Sequence, residues 1–409
     1  MAEPETNQEN TLISTASRPY IDASVPVLRE HGLTITTEFY RSMFEAHPEL
    51  TRLFNMGNQA SGAQQQSLAS AVFAYAAHIG NPEALGPVVS RIVHKHASVG
   101  IRADHYPIVG HHLLGAIKST LGDAATEPLL KAWEEAYTSL AQLLIDAETA
   151  MYAEAGIEPG ETRPMRVLDV VRESDTVVSI RFVPVDGALP PFQAGQYVSV
   201  AVDFADGRRQ LRQYSLSDAA GKDSLRISVK REDGASSLPA GAVSTWLHDN
   251  VKAGDVLHVT HPFGDFLPDT ESSEPVVLLS AGVGITPMIA ALNRIAMVNP
   301  ERRVIFAHAA RNAAHHAHQV DVAAAQARMP HLQVVSFHEE GQEGEAAGAL
   351  PGKMDLARLP SWPRTEINVY MCGPLPFMQA QWNALLAAGA PASRLHREVF
   401  GPDLLDNLL

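Results

Sequence analysis

Residues 155–164 read AGIEPGETRP, two glycines and two prolines in ten positions, and the hydrophobic period changes across them. Before them Val25, Leu28, Leu33, Ile35, Phe39, Met43 and Phe44 recur at mostly helical spacing, as do Leu130, Trp133, Tyr137, Leu140, Leu144 and Met151. No strand-like alternation occurs before residue 150. After the stretch the period falls to two: 176–183, 196–204, 209–217 and 224–231 are rich in β-branched residues and separated by Gly- and Asp-containing turns, the pattern of a small antiparallel barrel. A third regime starts near Pro275, where VVLLS, RRVIFAH, LQVVSF and INVYM are each followed by turn residues and a helical stretch. That alternation implies βαβ units and a parallel sheet. The expected order is all-α over 1–157, an antiparallel β-barrel over 158–270 and a parallel-sheet α/β domain over 271–409, with 155–164 as a linker.

The chain has 409 residues, 45% of them hydrophobic, which is enough for two or three real cores and excludes a disordered chain. Its net charge of −15 repels nucleic acid and anionic lipid. The single cysteine, Cys372, excludes a disulfide framework, a cysteine-rich zinc site and a cysteine-ligated iron–sulfur cluster, and suits a reducing cytoplasm. The N-terminal segment is polar and acidic, without the apolar region of a secretory leader. The most apolar stretch, 275–297, is broken by Gly282, Gly284 and Pro287, so no membrane span is expected.

In the helical part, His96 follows Ile92 by four residues on one helix face and has the chemistry of a proximal haem ligand. One histidine among 18 means little alone; its company matters. Gln64 and Leu68 share a helix face, Phe54 follows a short Pro48-initiated helix, and Tyr40 supplies a hydroxyl upstream. Glu148 continues the apolar stripe of the last helix and either reaches solvent at its end or is buried with a partner. The second case makes a Tyr106–Glu148–His96 group, which would raise the basicity of the imidazole and favour electron donation to iron.

In the C-terminal part, Arg212, Gln213, Tyr214 and Ser215 lie on one strand, a set suited to a flavin pyrophosphate and ring. Gly195–Gln196–Tyr197 opens another strand, and Gly241 to Leu247 reads as a turn and helix start able to meet phosphate. Gly282–Val283–Gly284–Ile285–Thr286–Pro287 follows the VVLLS strand, with Thr286 as expected N-cap and Pro287 as first helical residue. Cys372–Gly373–Pro374 ends a later strand and would close a nicotinamide site, while Val399–Phe400–Gly401–Pro402 brings an aromatic ring near the C-terminus. The histidines at 308, 315, 316 and 318 resemble a metal patch, but with no cysteine or clustered carboxylate beside them a helix start after a strand is the better reading.

The stretches FYRSMFEAHPEL, LFNMGNQ, HYPIVGHHLL, RQYSL, VKRE, AGVGITPM, YMCGP and EVFGP together resemble the flavohaemoglobin family, from about Ile21 to Pro402. The resemblance implies an all-α globin followed by a ferredoxin–NADP reductase-like module, with haem b, FAD and NAD(P)H as cofactors. By that likeness His96 is the iron ligand, Tyr40, Gln64 and Leu68 form the distal wall, and Tyr106 and Glu148 form the proximal relay. Lys95 and Glu398 match a pair set between haem and flavin. Tyr197, Arg212 to Ser215 and Val399 to Pro402 match FAD contacts, and Gly282 to Pro287 the NAD(P)H loop. The chain departs from the family at Ile285, often Gln, and at Val399, often Cys; it also has a longer N-terminus and a small insertion at 236–240. The implied activity is nitric oxide dioxygenation by a cytoplasmic monomer or dimer acting on O2, NO and NAD(P)H, with no nucleic-acid partner. An NADH oxidase or peroxide-reducing haemoprotein, a redox-linked oxygen sensor, and a flavin reductase without haem are the alternatives. The choice between NADH and NADPH stays open.

Overall fold

The computed structural model describes residues 13–234, 240–340 and 348–401. The chain forms two compact units that divide between Glu161 and Thr162.

The first unit is helical: α1 (Arg18–Ala46), a 3-10 turn (Pro48–Leu53), α2 (Met56–Ala60), α3 (Ala63–His78), α4 (Pro82–Val99), α5 (His105–Leu121) and α6 (Glu127–Ala155). In α1 the buried residues Ile21, Leu28, Ile35, Phe39, Tyr40 and Met43 form one stripe, as amphipathic spacing requires. Leu33, counted with that stripe in the sequence, is instead exposed, because it falls about half a turn away from Ile35. In α6 the stripe runs Trp133, Ala136, Ala141, Leu144, Glu148, Tyr152. Left-handed glycines end two of these helices, Gly100 after α4 and Gly156 after α6. A side chain at Gly100 would occupy the space filled by the backbone of Gly160, so the linker glycine packs against a helix end.

The second unit contains two sheets. The six-stranded antiparallel sheet has the order β4-β3-β6-β1-β2-β5, with β1 (Arg163–Arg172), β2 (Val177–Pro184), β3 (Tyr197–Asp203), β4 (Arg209–Ser215), β5 (Leu225–Lys230) and β6 (Val256–Val259). A bridge between Leu216 and Ile227 joins its two edges and closes the barrel around Phe182, Ile180, Val198, Val200 and Ile227. One helix, α7 (Ala242–Asn250), packs Val243 and Leu247 into this core. The other sheet is parallel, in the order β10-β9-β8-β7-β11-β12, from β7 (Val276–Ala281), β8 (Val304–Ala310), β9 (Leu332–His338), β10 (Ala349–Pro351), β11 (Asn368–Cys372) and β12 (Leu395–Glu398). The helices α8 (Ile285–Val298) and α9 (Gln319–Arg328) cover one face, while α10 (Leu375–Ala387) and the segment with Leu356, Leu359 and Trp362 cover the other. Burial on both faces explains the unbroken apolar run of β7.

Two local expectations change. The turn Gly282–Gly284 runs straight into α8, so the helix begins at Ile285 with Gly284 as its N-cap. Thr286 therefore lies inside the first turn, where its hydroxyl donates to the Val283 carbonyl at 3.1 Å, and Pro287 is the third helical residue rather than the first. The histidine-rich segment is a 3-10 turn (Ala313–His315) and loop, with α9 starting only at Gln319.

Candidate functional site

His96 lies in the last turn of α4. Its Nδ1 is 2.8 Å from Glu148 Oε1 and 3.1 Å from the Tyr106 hydroxyl, and Tyr106 donates to the same carboxylate oxygen at 2.6 Å. Glu148 is 2% exposed, so the carboxylate on the apolar stripe is an interior group with partners. Burial, with the neighbouring carboxylate, pushes the Tyr106 hydroxyl far above its ordinary range and keeps it a donor. Tyr137 fixes this residue from behind by donating to the Tyr106 carbonyl at 2.6 Å, and Tyr152 donates to the Ile101 carbonyl at 2.9 Å. Because a carboxylate can only accept, Nδ1 donates to it, which leaves Nε2 with the lone pair that a metal needs. The His96 side chain is 34% exposed, so that nitrogen has an open side.

Tyr40 on α1 is buried, and burial pushes its hydroxyl up to about 12 despite hydrogen bonds with Gln64 and Gln59. Its ring makes contact with Phe44 and Phe54 at centroid distances of 5.7 and 5.8 Å. Phe54 and Leu68, with Val72, Val89 and Ile92, are apolar yet only partly buried in this unit. An imidazole nitrogen whose ring is held by a buried carboxylate, a buried hydroxyl and incompletely covered apolar side chains fit a haem. Gln59 escaped the sequence reading. It sits on the short helix α2 beside Gln65, whose amide donates to its carbonyl and side-chain oxygen at 3.2 and 3.0 Å. Only its place in LFNMGNQ, five residues before Gln64, could have flagged it. Lys95 adjoins His96 on α4 and is partly buried.

In the second unit, Arg212 and Tyr214 share a face of β4 and pair with Val200 and Val198 of β3. Arg212 is mostly buried, which lowers its pKa, and among the described residues its guanidinium donates to the Leu211 carbonyl at 2.7 Å and Gln210 Oε1 at 2.9 Å. A buried cation held by neutral groups calls for an anion, and a flavin pyrophosphate supplies one. Thr245, in the first turn of α7, adds a buried hydroxyl oxygen that has no partner among the described residues. Ser215 pairs with Tyr197 across β3 and β4, and both are buried. The Tyr197 ring lies over Gly264, whose φ of 137° and missing side chain admit it. Gln213 is exposed on the opposite face of β4. These residues fit FAD. Near the C-terminus Glu398 and Val399 are buried, and Phe400 is an exposed aromatic; Gly401 follows it, and Pro402 lies outside the described residues.

The loop that opens at Gly282 sits at the C-terminal ends of two adjacent parallel strands, β7 and β11, where open α/β sheets bind ligands. A side chain at Gly284 would collide with the Cys372 carbonyl, and one at Gly373 would strike Phe377 and Ala281. The glycines thus let the two loops press together. Ile285, Thr286 and Pro287 turn into the core, and the surface of the loop is Gly282, at φ 54°, with Val283. Pro374 precedes α10 as its N-cap. Cys372 is fully buried, and burial pushes its thiol far up, so it is a packing residue without thiolate reactivity. Buried histidines gather nearby: His308 bonds Ser280 at 2.9 Å, and His316 faces His338 at 3.3 Å. Among the described residues one group has ligand atoms close enough for a metal, Glu173, His318 and Asp321. Arg226 and Asn293 already hold the Asp321 carboxylate.

Comparison with known proteins agrees with both units. A globin family model matches residues 37–144, and an oxidoreductase NAD-binding domain model matches 278–382. The flavohemoprotein of Chromobacterium violaceum is 47% identical over 399 residues, covering 95% of this chain and 98% of the relative. A crystal structure of a flavohemoglobin from Malassezia yamatoensis with bound FAD and haem is similar with a TM-score of 0.84 at 30% identity, covering 95% of this chain and all of that one. The FAD/NAD-binding domain of a nitric oxide dioxygenase from Vibrio cholerae is 38% identical with a TM-score of 0.55, covering 59% of this chain and all of that one.

Proposed function

The chain belongs to the flavohaemoprotein family, and on that premise we propose that it is an NAD(P)H-driven nitric oxide dioxygenase working with haem, FAD and a nicotinamide nucleotide. When bound, the flavin takes a hydride from NAD(P)H and passes electrons singly to the haem, where O2 and NO are turned into nitrate.

The observation that carries this reading is the Glu148 carboxylate on His96 Nδ1. It fixes the ring, assigns Nε2 to iron and makes the imidazole a stronger electron donor. A protein that only stored oxygen would gain nothing from that donation. On the other side, Tyr40 offers a neutral hydroxyl, held by Gln64 and Gln59, to the distal ligand. In the second unit Arg212, Thr245 and the start of α7 hold the pyrophosphate of FAD, while Tyr197, Tyr214, Ser215 and Phe400 line the ring. Gly282 and Val283 form the floor for NAD(P)H, and Lys95 and Glu398 tune the two redox centres. The working parts are a globin over 1–157, a flavin barrel over 158–270 and a nucleotide domain over 271–409.

Among the described residues no helix is long and apolar enough to cross a membrane. We place the protein in the cytoplasm, on the strength of its one buried cysteine and acidic composition. A single chain carries every group named, so a monomer suffices. The test is NADH- or NADPH-dependent consumption of NO by the holoenzyme, which must stop when O2 is removed. Nucleotide oxidation that ignores NO and yields peroxide would mean an oxidase instead.

A further inference from the structure

His318 is buried at 0% exposure and is the only non-glycine residue with positive φ, 60°, among those described. Left-handed backbone at a non-glycine residue is strained and persists where surrounding contacts over-determine it. Here those contacts cross from one sheet to the other. Nε2 is 3.0 Å from Ser228 Oγ on β5 of the barrel; Nδ1 is 2.9 Å from Asp321 Oδ2 on α9 and 3.8 Å from Glu173 Oε2 beyond β1.

Counting donors orients the network. The Ser217 hydroxyl donates to the Arg226 carbonyl at 3.3 Å and accepts from Ser228 at 2.8 Å, and Ser228 Oγ also meets Ser179 Oγ at 2.9 Å, so the ring contact joins a chain of three barrel hydroxyls. Asp321 is held well below the usual carboxylate range; burial opposes this but is outweighed by His318, Arg226 and Asn293. It can only accept. Nδ1 of His318 therefore donates to it. Arg226 of β5 reaches Asp321 at 3.1 Å, and Asn293 of α8 donates to Asp321 at 3.0 Å and to Asp218 at 2.8 Å. The network runs from Ser217, two residues past the Arg212–Ser215 motif, to α8, the helix that starts at the Gly282–Gly284 turn.

We propose that His318 is a positioning residue for hydride transfer: it locks the nucleotide-binding sheet against the barrel and thereby sets the approach of the nicotinamide to the flavin. The proposal rests on the flavin reductase reading above. Guanidinium and amide groups occupy the carboxylate that a cation would need, so the group is a clamp rather than a metal site. The step concerned breaks the C4–H bond of the nicotinamide and carries the hydride, with its electron pair, to the flavin, leaving NAD+ or NADP+ and reduced flavin. Reacting atoms displaced by about 1 Å can slow such a step ~100-fold.

The experiment mixes FAD-loaded full-length protein anaerobically with NADH, or with NADPH if the parent prefers it, and follows flavin bleaching. His318→Gly relieves the backbone but removes the ring; Ser228→Ala removes the partner on the barrel. Both should keep their FAD and half-saturating nucleotide concentration, reduce flavin about 10- to 100-fold more slowly at saturation, and show a larger effect of 4-deuterated nucleotide. His318→Asn, which tolerates left-handed backbone and keeps a donor, should recover part of the rate. A saturating rate within twofold of the parent in FAD-replete His318→Gly would overturn the proposal. If that variant does not fold, the same result in Ser228→Ala would do so. A lowered melting temperature with an unchanged saturating rate would mean a purely structural role and also overturn it. A parent that bleaches with neither nucleotide would refute the flavin reductase reading, and the proposal with it.

Discussion

Tyr106 and Glu148, 42 residues apart in sequence, are joined by a 2.6 Å hydrogen bond in which the hydroxyl donates to the carboxylate oxygen that also faces His96 Nδ1 at 2.8 Å. One oxygen thus receives two donors, on the proximal side of the proposed iron site. The arrangement makes the electronic state of the imidazole depend on a single negative charge.

Replacing that charge tests its role. Glu148→Gln keeps size and most packing, so haem should stay bound while the imidazole loses anionic character. The haem midpoint potential should rise, by about 60 mV for each decade of altered equilibrium in a one-electron couple. Spectroelectrochemical titration of both proteins checks this, and an equal potential would leave Glu148 without an electronic role.

On the distal side, Tyr40→Phe removes a hydroxyl and little else. Loss of a hydrogen bond of roughly 1–3 kcal/mol should speed O2 release about 5- to 150-fold, as measured by ligand displacement. Because burial pushes this hydroxyl up to about 12, its proton is present throughout the ordinary working range. The parent O2 release rate should therefore be flat from about pH 6 to pH 10 as far as this group is concerned. A release rate within twofold of the parent in Tyr40→Phe would remove Tyr40 from the distal site.

Arg212 is a largely buried cation with no carboxylate partner among the described residues. Arg212→Ala should weaken FAD binding about 10- to 150-fold, the range for a charge-assisted hydrogen bond, and leave haem content untouched. Equilibrium dialysis with flavin fluorescence gives the constant, and unchanged FAD affinity would move the pyrophosphate elsewhere.

Gly284→Ala sets a methyl group against the Cys372 carbonyl. The two loops must part, at about 1–3 kcal/mol for overpacking, and nucleotide binding should weaken more than FAD binding. Thermal unfolding together with nucleotide titration separates the two effects. A variant as stable and as tight as the parent would show that the loops have room.

The change of period at 155–164 made the order helical, barrel, parallel sheet legible, because spacing of apolar residues reports which face an element buries. His96, Tyr106 and Glu148 were legible for a related reason: a carboxylate on an apolar stripe must find a partner. Other features depend on contacts between distant segments. Gln59 meets Tyr40 only after α2 folds back. The need for glycine at 284 comes from β11, nearly ninety residues on. The inward turn of Ile285, Thr286 and Pro287 follows from where α8 begins, and the burial of His318 from the packing of α9 beside the barrel; neither is a matter of local pattern.

The central claim is that this chain converts NO to nitrate with electrons from NAD(P)H. The most direct test rapidly mixes the prereduced, oxygenated holoenzyme with one equivalent of NO and measures both the haem spectrum and the nitrate formed. The account predicts stoichiometric nitrate within the mixing experiment and ferric haem that the flavin then re-reduces. Slow loss of the oxygenated spectrum with nitrite, peroxide or no product in place of nitrate would contradict it.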